Sequence, residues 1–207
     1  MKKIIFTLCT LCFAISVLAH DFEVDGIYYN ILSDTTVAVT YQGTSTTSAA
    51  YKGTIIIPSS VIYNGVNYSV IGIGDLALGG CNALDSTNIP NSVKTIGNNA
   101  FRSCTSLTSI VIPDGVTSMG TYVFYGCTKL QKVIIPSSVV EIGTKSFFNT
   151  GIYNKASNWE NGGLYIDNCL IAVKETFQGA LTIKENTRFK VLIPKYCIGL
   201  EKTIPKY

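Results

Sequence analysis

A repeat of 23 residues constrains this chain more than any other feature. Ile89-Pro90, Ile112-Pro113 and Ile135-Pro136 step by that interval, and every other landmark steps with them. Val70, Val93, Val116 and Val139 form one column; Gly74, Gly97, Gly120 and Gly143 form another. Leu78, Phe101, Phe124 and Phe147 follow, then Cys81, Cys104 and Cys127, then Leu84, Leu107 and Leu130. A fixed period of this length marks a solenoid, in which each copy is one coil packed on its neighbours.

The physics of one coil is readable from Leu107-Thr108-Ser109-Ile110-Val111-Ile112-Pro113. Ile110 and Ile112 point inward while Ser109 and Val111 point outward, the period of two that defines a strand. Pro113 has no N–H for a ladder and closes the strand. Val116 to Gly120 then returns along another side, with the glycine expected to permit a tight corner. Val123, Phe124, Cys127 and Leu130 recur at spacings of three and four, which predicts one helical turn facing the core. If the strands pair in parallel, successive coils lie about 4.8 Å apart and each column becomes an interior ladder.

The strand pattern L-x-x-I-x-I-P, the I-G corner and the F-x-x-C-x-x-L turn resemble the BspA-like, Treponema-type leucine-rich repeats of bacterial surface proteins. The pattern is clean from about Lys52 to Thr150. The resemblance implies a β-rich leucine-rich-repeat solenoid with a parallel sheet, and a secreted or surface-displayed adhesion or binding protein without enzyme activity. A ligand does not follow from it, because the columns encode the scaffold.

The start of the chain supports export. Met1-Lys2-Lys3 is basic, Ile4 to Leu18 is apolar, and Val17-Leu18-Ala19 ends on a small residue before polar His20-Asp21. Residues 1–19 therefore read as a signal peptide, and no later segment is apolar enough to span a membrane. Removing Lys2 and Lys3 leaves 14 basic against 13 acidic groups, too even a balance for nucleic acid. It also leaves five cysteines, so one thiol at least stays unpaired. Charged residues make up only 14% of the chain and aromatics 11%, which excludes disorder for most of it.

The repeat is interrupted at both ends. Phe22 to Ile27 reads as a hairpin and Val37 to Tyr41 as a further strand, so residues 20–51 are expected to form an antiparallel β cap. Gln42 to Ala50, rich in Ser and Thr, reads as a loop. Asn64-Gly65, between alternating apolar residues, predicts a second hairpin inside the repeat region 52–150. Residues 151–183 read as an irregular insert carrying the only tryptophan, Trp159, with a hairpin around Asp167-Asn168-Cys169 and a resumed repeat strand at Leu181-Thr182-Ile183. Residues 184–207 look like a degraded or truncated repeat that stops without a closing cap, an end expected to be open and to self-associate.

Catalytic and cofactor motifs are missing. The sole histidine, His20, falls at the expected mature terminus, beyond any core, which removes the ordinary Ser-His-Asp and Cys-His arrangements. The cysteines lie on successive coils rather than at zinc-ligand spacing, and they read as small apolar fillers of one core column. The acidic residues are scattered, with no carboxylate pair set by a motif for glycan hydrolysis. No cofactor and no metal are expected.

What remains is surface. The outward strand positions are Thr54/Ile56, Ser86/Asn88, Ser109/Val111 and Lys132/Ile134. The second of each pair is unusually apolar for a solvated face. Ile56, Ser86, Asn88, Ser109, Val111, Lys132 and Ile134 are thus the candidate binding face, for an extracellular protein or glycan. The alternative is a structural surface component that binds copies of itself.

Overall fold

The computed structural model describes residues 20–42, 50–167 and 169–174, with the backbone of a short strand at Arg188–Phe189. The expectations for the signal peptide, for most of the Ser/Thr-rich loop, for Leu181 to Ile183, for Cys197 and for the rest of the tail lie outside the described residues.

Each coil has three sides. The first carries the predicted strands: β4 (Gly53–Ile56), β7 (Leu84–Asn88), β9 (Ser109–Val111) and β11 (Lys132–Ile134). They pair in parallel, but as two two-stranded sheets, β4 with β7 and β9 with β11, rather than one ladder. The split falls beside β7, whose inward position holds Thr87 where the other coils have Ile55, Ile110 and Val133.

The second side is continuous. Strands β6 (Val66–Ile73), β8 (Thr95–Ile96), β10 (Ser118–Met119) and β12 (Glu141–Ile142) pair in parallel, with Ile73, Ile96, Met119 and Ile142 in register. The N-terminal segment joins this sheet. Strands β1 (Phe22–Val24) and β2 (Ile27–Ser33) form a hairpin whose turn residues, Asp25 and Gly26, both have positive φ, as a two-residue hairpin turn requires. Strand β3 (Thr36–Thr40) pairs antiparallel with β2 and parallel with β6, opposing Val37 to Val70 and Val39 to Ile73. It thus takes the place of one more coil. The second predicted hairpin is present too, as β5 (Ser60–Tyr63) against β6 around Asn64-Gly65.

The third side corrects the expectation of a helical turn. Cys104 and Leu107 donate backbone N–H to carbonyls three residues back, at 3.2 Å each, and Cys127 and Leu130 repeat this at 3.0 and 2.9 Å. Between them, Phe101, Ser103, Phe124 and Gly126 donate sideways to the next coil, at 2.8–3.0 Å. Groups committed sideways cannot close the four-residue bonds of an α-helix. Two left-handed residues per coil complete the break, as at Asn99 and Ser103 (φ 56° and 58°) and at Tyr122 and Gly126 (56° and 75°).

The corner glycines need a different reason as well. Gly97, Gly120 and Gly143 do not have positive φ; a Cβ on any of them would run into the backbone of the preceding coil. At Gly120 the nearest atoms would be Asn98 N and Oδ1, both at 2.7 Å. Close approach of stacked backbones, not tight turning, is what excludes a side chain here.

The interior columns are ladders. Phe101, Phe124 and Phe147 stack with centroids 5.3 and 5.5 Å apart and are essentially inaccessible. Cys81, Cys104, Cys127 and Cys169 are free and buried. The ladder thiols do more than fill space: Cys104 Sγ–H donates to Leu78 O at 3.1 Å, and Cys127 Sγ–H donates to Phe101 O at 3.0 Å. Burial pushes the Cys81 thiol up from its ordinary pKa; a hydrogen bond with Cys127, and then burial, push Cys104 up. Because the thiolate is the reactive form, labelling of native protein at mildly alkaline pH should be slow at Cys81 and Cys104, and slow at Cys127 because it is buried, and should become fast at all three after denaturation. A stoichiometric Cys104–Cys127 bridge in the mass spectrum of purified protein would overturn this expectation.

In the fourth coil the cysteine position holds Thr150, and the path changes there. Its hydroxyl accepts from Tyr153 N at 3.1 Å and donates to Phe147 O at 2.8 Å, capping the short helix α1 (Gly151–Asn154). A single 3₁₀ turn at Ala156–Asn158 leads to β13 (Trp159–Glu160), which pairs antiparallel with β14 (Gly163–Ile166) across Asn161-Gly162. The strand before that turn is only two residues long, so a segment expected to be irregular contains a short hairpin. The predicted hairpin follows as β14 against β15 (Cys169–Val173), with Cys169 already inside the strand; β15 pairs in parallel with β16 (Arg188–Phe189). Ile152, Leu164, Ile166, Cys169 and Ile171 belong to the same buried core as the coils, so this segment continues the solenoid interior beyond Phe147.

Candidate binding surface

Strand register brings the candidate residues together in two pairs of rows. Ile56 lies opposite Asn88, and Thr54 opposite Ser86, with their hydroxyl oxygens 2.9 Å apart. Val111 lies opposite Ile134, and Ser109 opposite Lys132. All are exposed except Ser86, which is half-buried. The apolar members stand well out: Ile56 is 68% exposed, Val111 57% and Ile134 44%. Their inward neighbours Ile57, Ile89, Ile112 and Ile135 are buried, so the alternation that built the strand also forces these side chains into water.

Exposed apolar side chains also occur at Ile31, Leu32, Ile62 and Val140. Those lie on the N-terminal hairpins and on the second side of the coil. The strand rows differ in carrying apolar groups on neighbouring coils, with a lysine and hydroxyls alongside. Such a surface can bury apolar area and exchange a few hydrogen bonds with a partner laid across the coils.

Among the described residues no three His, Cys, Asp or Glu side chains come close enough together to hold a metal ion. The buried thiols make poor nucleophiles in this environment. His20 is not beyond the core, as expected, but half-buried, with its ring edge-on to Tyr28 at 4.7 Å. No helix among the described residues is long and apolar enough to cross a membrane.

One set of surface residues escaped the sequence reading. The position after the core phenylalanine column holds Gly79, Arg102, Tyr125 and Phe148, and its large members line up on the turn side of the coils. Only the aligned repeat shows them as neighbours.

Two strand-bearing sides and a third of stacked turns, with an outward row of strand side chains, define a β-rich leucine-rich-repeat solenoid. The chain belongs to the family of BspA type leucine-rich repeat regions, whose model matches residues 28–161 in six copies. The match begins inside β2, in line with β3 standing as an extra coil. A leucine-rich repeat protein from Bacteroides ovatus is 32% identical, with a TM-score of 0.57, over 63% of this chain and 33% of its own. Another, from Bacteroides capillosus, is 27% identical, with a TM-score of 0.54, over 65% of this chain and 94% of its own. This chain thus spans about a third of the first protein and nearly all of the second. No curated protein matches it.

Proposed function

We propose that this protein is a non-enzymatic binding or adhesion module, secreted or held at the cell surface, that presents its repeat-strand face to an extracellular partner. The observation that carries this reading is the exposure of Ile56, Val111 and Ile134 on the outward rows of paired strands. Water-exposed apolar groups of this size contribute free energy only when something covers them. A protein segment suits the face better than a sugar chain, because the exposed groups are aliphatic and Ser109 and Lys132 supply polar contacts at their side.

The test is binding of purified protein to immobilised matrix proteins and mucins, before and after Ile56→Ser, Val111→Ser and Ile134→Ser are combined. The triple variant should keep its fold, since all three side chains are exposed, and should lose about tenfold or more in affinity. Undiminished binding places the partner on another face. Concentration-dependent assembly of the wild type that the same substitutions abolish would favour the self-associating alternative.

A further inference from the structure

The turn side of the solenoid carries a second surface, remote from the strand rows and independent of the reading above. Tyr125 and Phe148 stack at 5.5 Å with planes 13° apart; Phe148 meets Tyr153 at 4.9 Å; Tyr153 meets Trp159 edge-on at 5.0 Å. All four rings are half-buried. The run begins in the third coil and crosses into the segment after Thr150, so two unrelated parts of the chain build one strip. Trp159 is held in place by its Nε1–H, which donates to Tyr153 O at 2.7 Å.

Three exposed cations sit against these rings. Arg102 Cζ is 5.1 Å from the Tyr125 centroid, Lys145 Nζ 5.7 Å from that of Phe148, and Lys174 Nζ 5.3 Å from that of Trp159. Turn segments 98–105, 121–128 and 144–151 contain no acidic residue, and Glu160, exposed beside Trp159, is the one acidic residue in 151–160. Stacked rings turn their electron-rich faces toward one another and their electropositive edges outward. The Tyr125–Phe148 pair therefore turns electropositive edges outward, and three cations against the single carboxylate of Glu160 leave the strip net positive. Packing of the core does not demand it, since the first coil has Gly79 in the same column.

We propose that this strip binds an anionic polysaccharide, a chain of sugars bearing carboxylate or sulfate groups. Side chains must do the recognising, because backbone groups here are already used: Phe101, Ser103, Tyr122, Phe124 and Gly126 donate to the next coil. A peptide adding itself as a strand finds no free ladder. Bases of a nucleic acid stack on ring faces, and here Tyr125, Phe148 and Trp159 each have a cation over the ring, which disfavours that mode. A charged glycan needs neither: its anions meet Arg102, Lys145 and Lys174, and its apolar ring bodies and hydroxyls meet the aromatic edges and tyrosine hydroxyls. Pre-set rings lose little freedom on binding, which favours affinity.

Trp159 is the only tryptophan, so its fluorescence reports on this strip alone. The whole chain is titrated with polygalacturonate (carboxylate), heparin (sulfate), dextran (neutral), poly-glutamate and single-stranded DNA. The expected result is a salt-sensitive change in Trp159 emission with polygalacturonate or heparin, the two arms telling carboxylate from sulfate recognition, and none with dextran. Combining Arg102→Gln, Lys145→Gln and Lys174→Gln should weaken it about tenfold or more without lowering the melting temperature. Ile56→Ser, Val111→Ser and Ile134→Ser together should leave it unchanged, which separates this proposal from the strand-face reading. An unaltered emission with both anionic polysaccharides, equal binding by the glutamine variant, or tighter binding of dextran, poly-glutamate or DNA would each overturn it.

Discussion

Replacing Phe124 by alanine should cost about 3–5 kcal/mol of stability, the range for large aromatic truncations in packed cores. Phe124 is fully buried between Phe101 and Phe147, at 5.3 and 5.5 Å, so truncation opens a gap at two coil interfaces at once. The coils cannot close that gap. Phe124 N–H is bonded to Ser146 O at 2.8 Å and Phe101 N–H to Val123 O at 2.9 Å, and these bonds set the spacing of the backbones. Lost aromatic pairing adds to lost burial. In a solenoid each coil is stabilised by its neighbours only, so weakening both faces of a central coil should uncouple the two halves. Chemical denaturation should show a lower midpoint and a broader transition. A loss below about 1 kcal/mol would mean that the stacked column is not the core it resembles.

The second large effect concerns two glycines that look alike in the sequence. Gly120→Ala should destabilise by about 3 kcal/mol, because its Cβ would lie 2.7 Å from Asn98 N and Oδ1 and 2.9 Å from Gly97 C, two of the three being backbone atoms that cannot move aside. Asn98 Oδ1 is itself fixed, accepting from Thr121 N at 2.9 Å and from Thr121 Oγ1 at 3.0 Å. Gly126→Ala is the control. Its φ of +75° makes alanine strained, but the nearest atom would be Ser103 Oγ at 3.4 Å, so the cost should stay near 1–2 kcal/mol. Thermal or chemical unfolding of the two variants separates close approach from backbone strain. Equal losses would show that coil-to-coil approach is not what reserves the corner column for glycine.

Much of the architecture was readable from spacing alone. Columns repeating every 23 residues can only be satisfied by stacking, and alternation within Ile110, Val111 and Ile112 decides which side chains meet water. That is why the sequence alone marks Ile56, Val111 and Ile134 as outward residues. The two N-terminal hairpins were equally legible, because Asp-Gly and Asn-Gly supply the left-handed turn residues that few other pairs tolerate.

Other features depend on contacts between coils, which no single copy of the repeat encodes. The F-x-x-C-x-x-L segment has the spacing of a helix, yet N–H groups such as those of Phe101 and Ser103 bond sideways, because a neighbouring coil lies close enough to compete for them. Gly120 looks like a turn residue and is in fact a point of contact. Cys104 and Cys127 look like inert filler and donate to carbonyls of the preceding coil. The row from Tyr125 to Trp159 joins residues from separate parts of the chain, which meet through the Thr150 cap of α1 and the bond from Trp159 Nε1–H to Tyr153 O. Periodicity by itself determined the coil, its inward and outward faces and the family to which it belongs. The tertiary structure alone decided which backbone groups pair, which glycines are indispensable and which aromatics share a surface, because each of these depends on distances between coils.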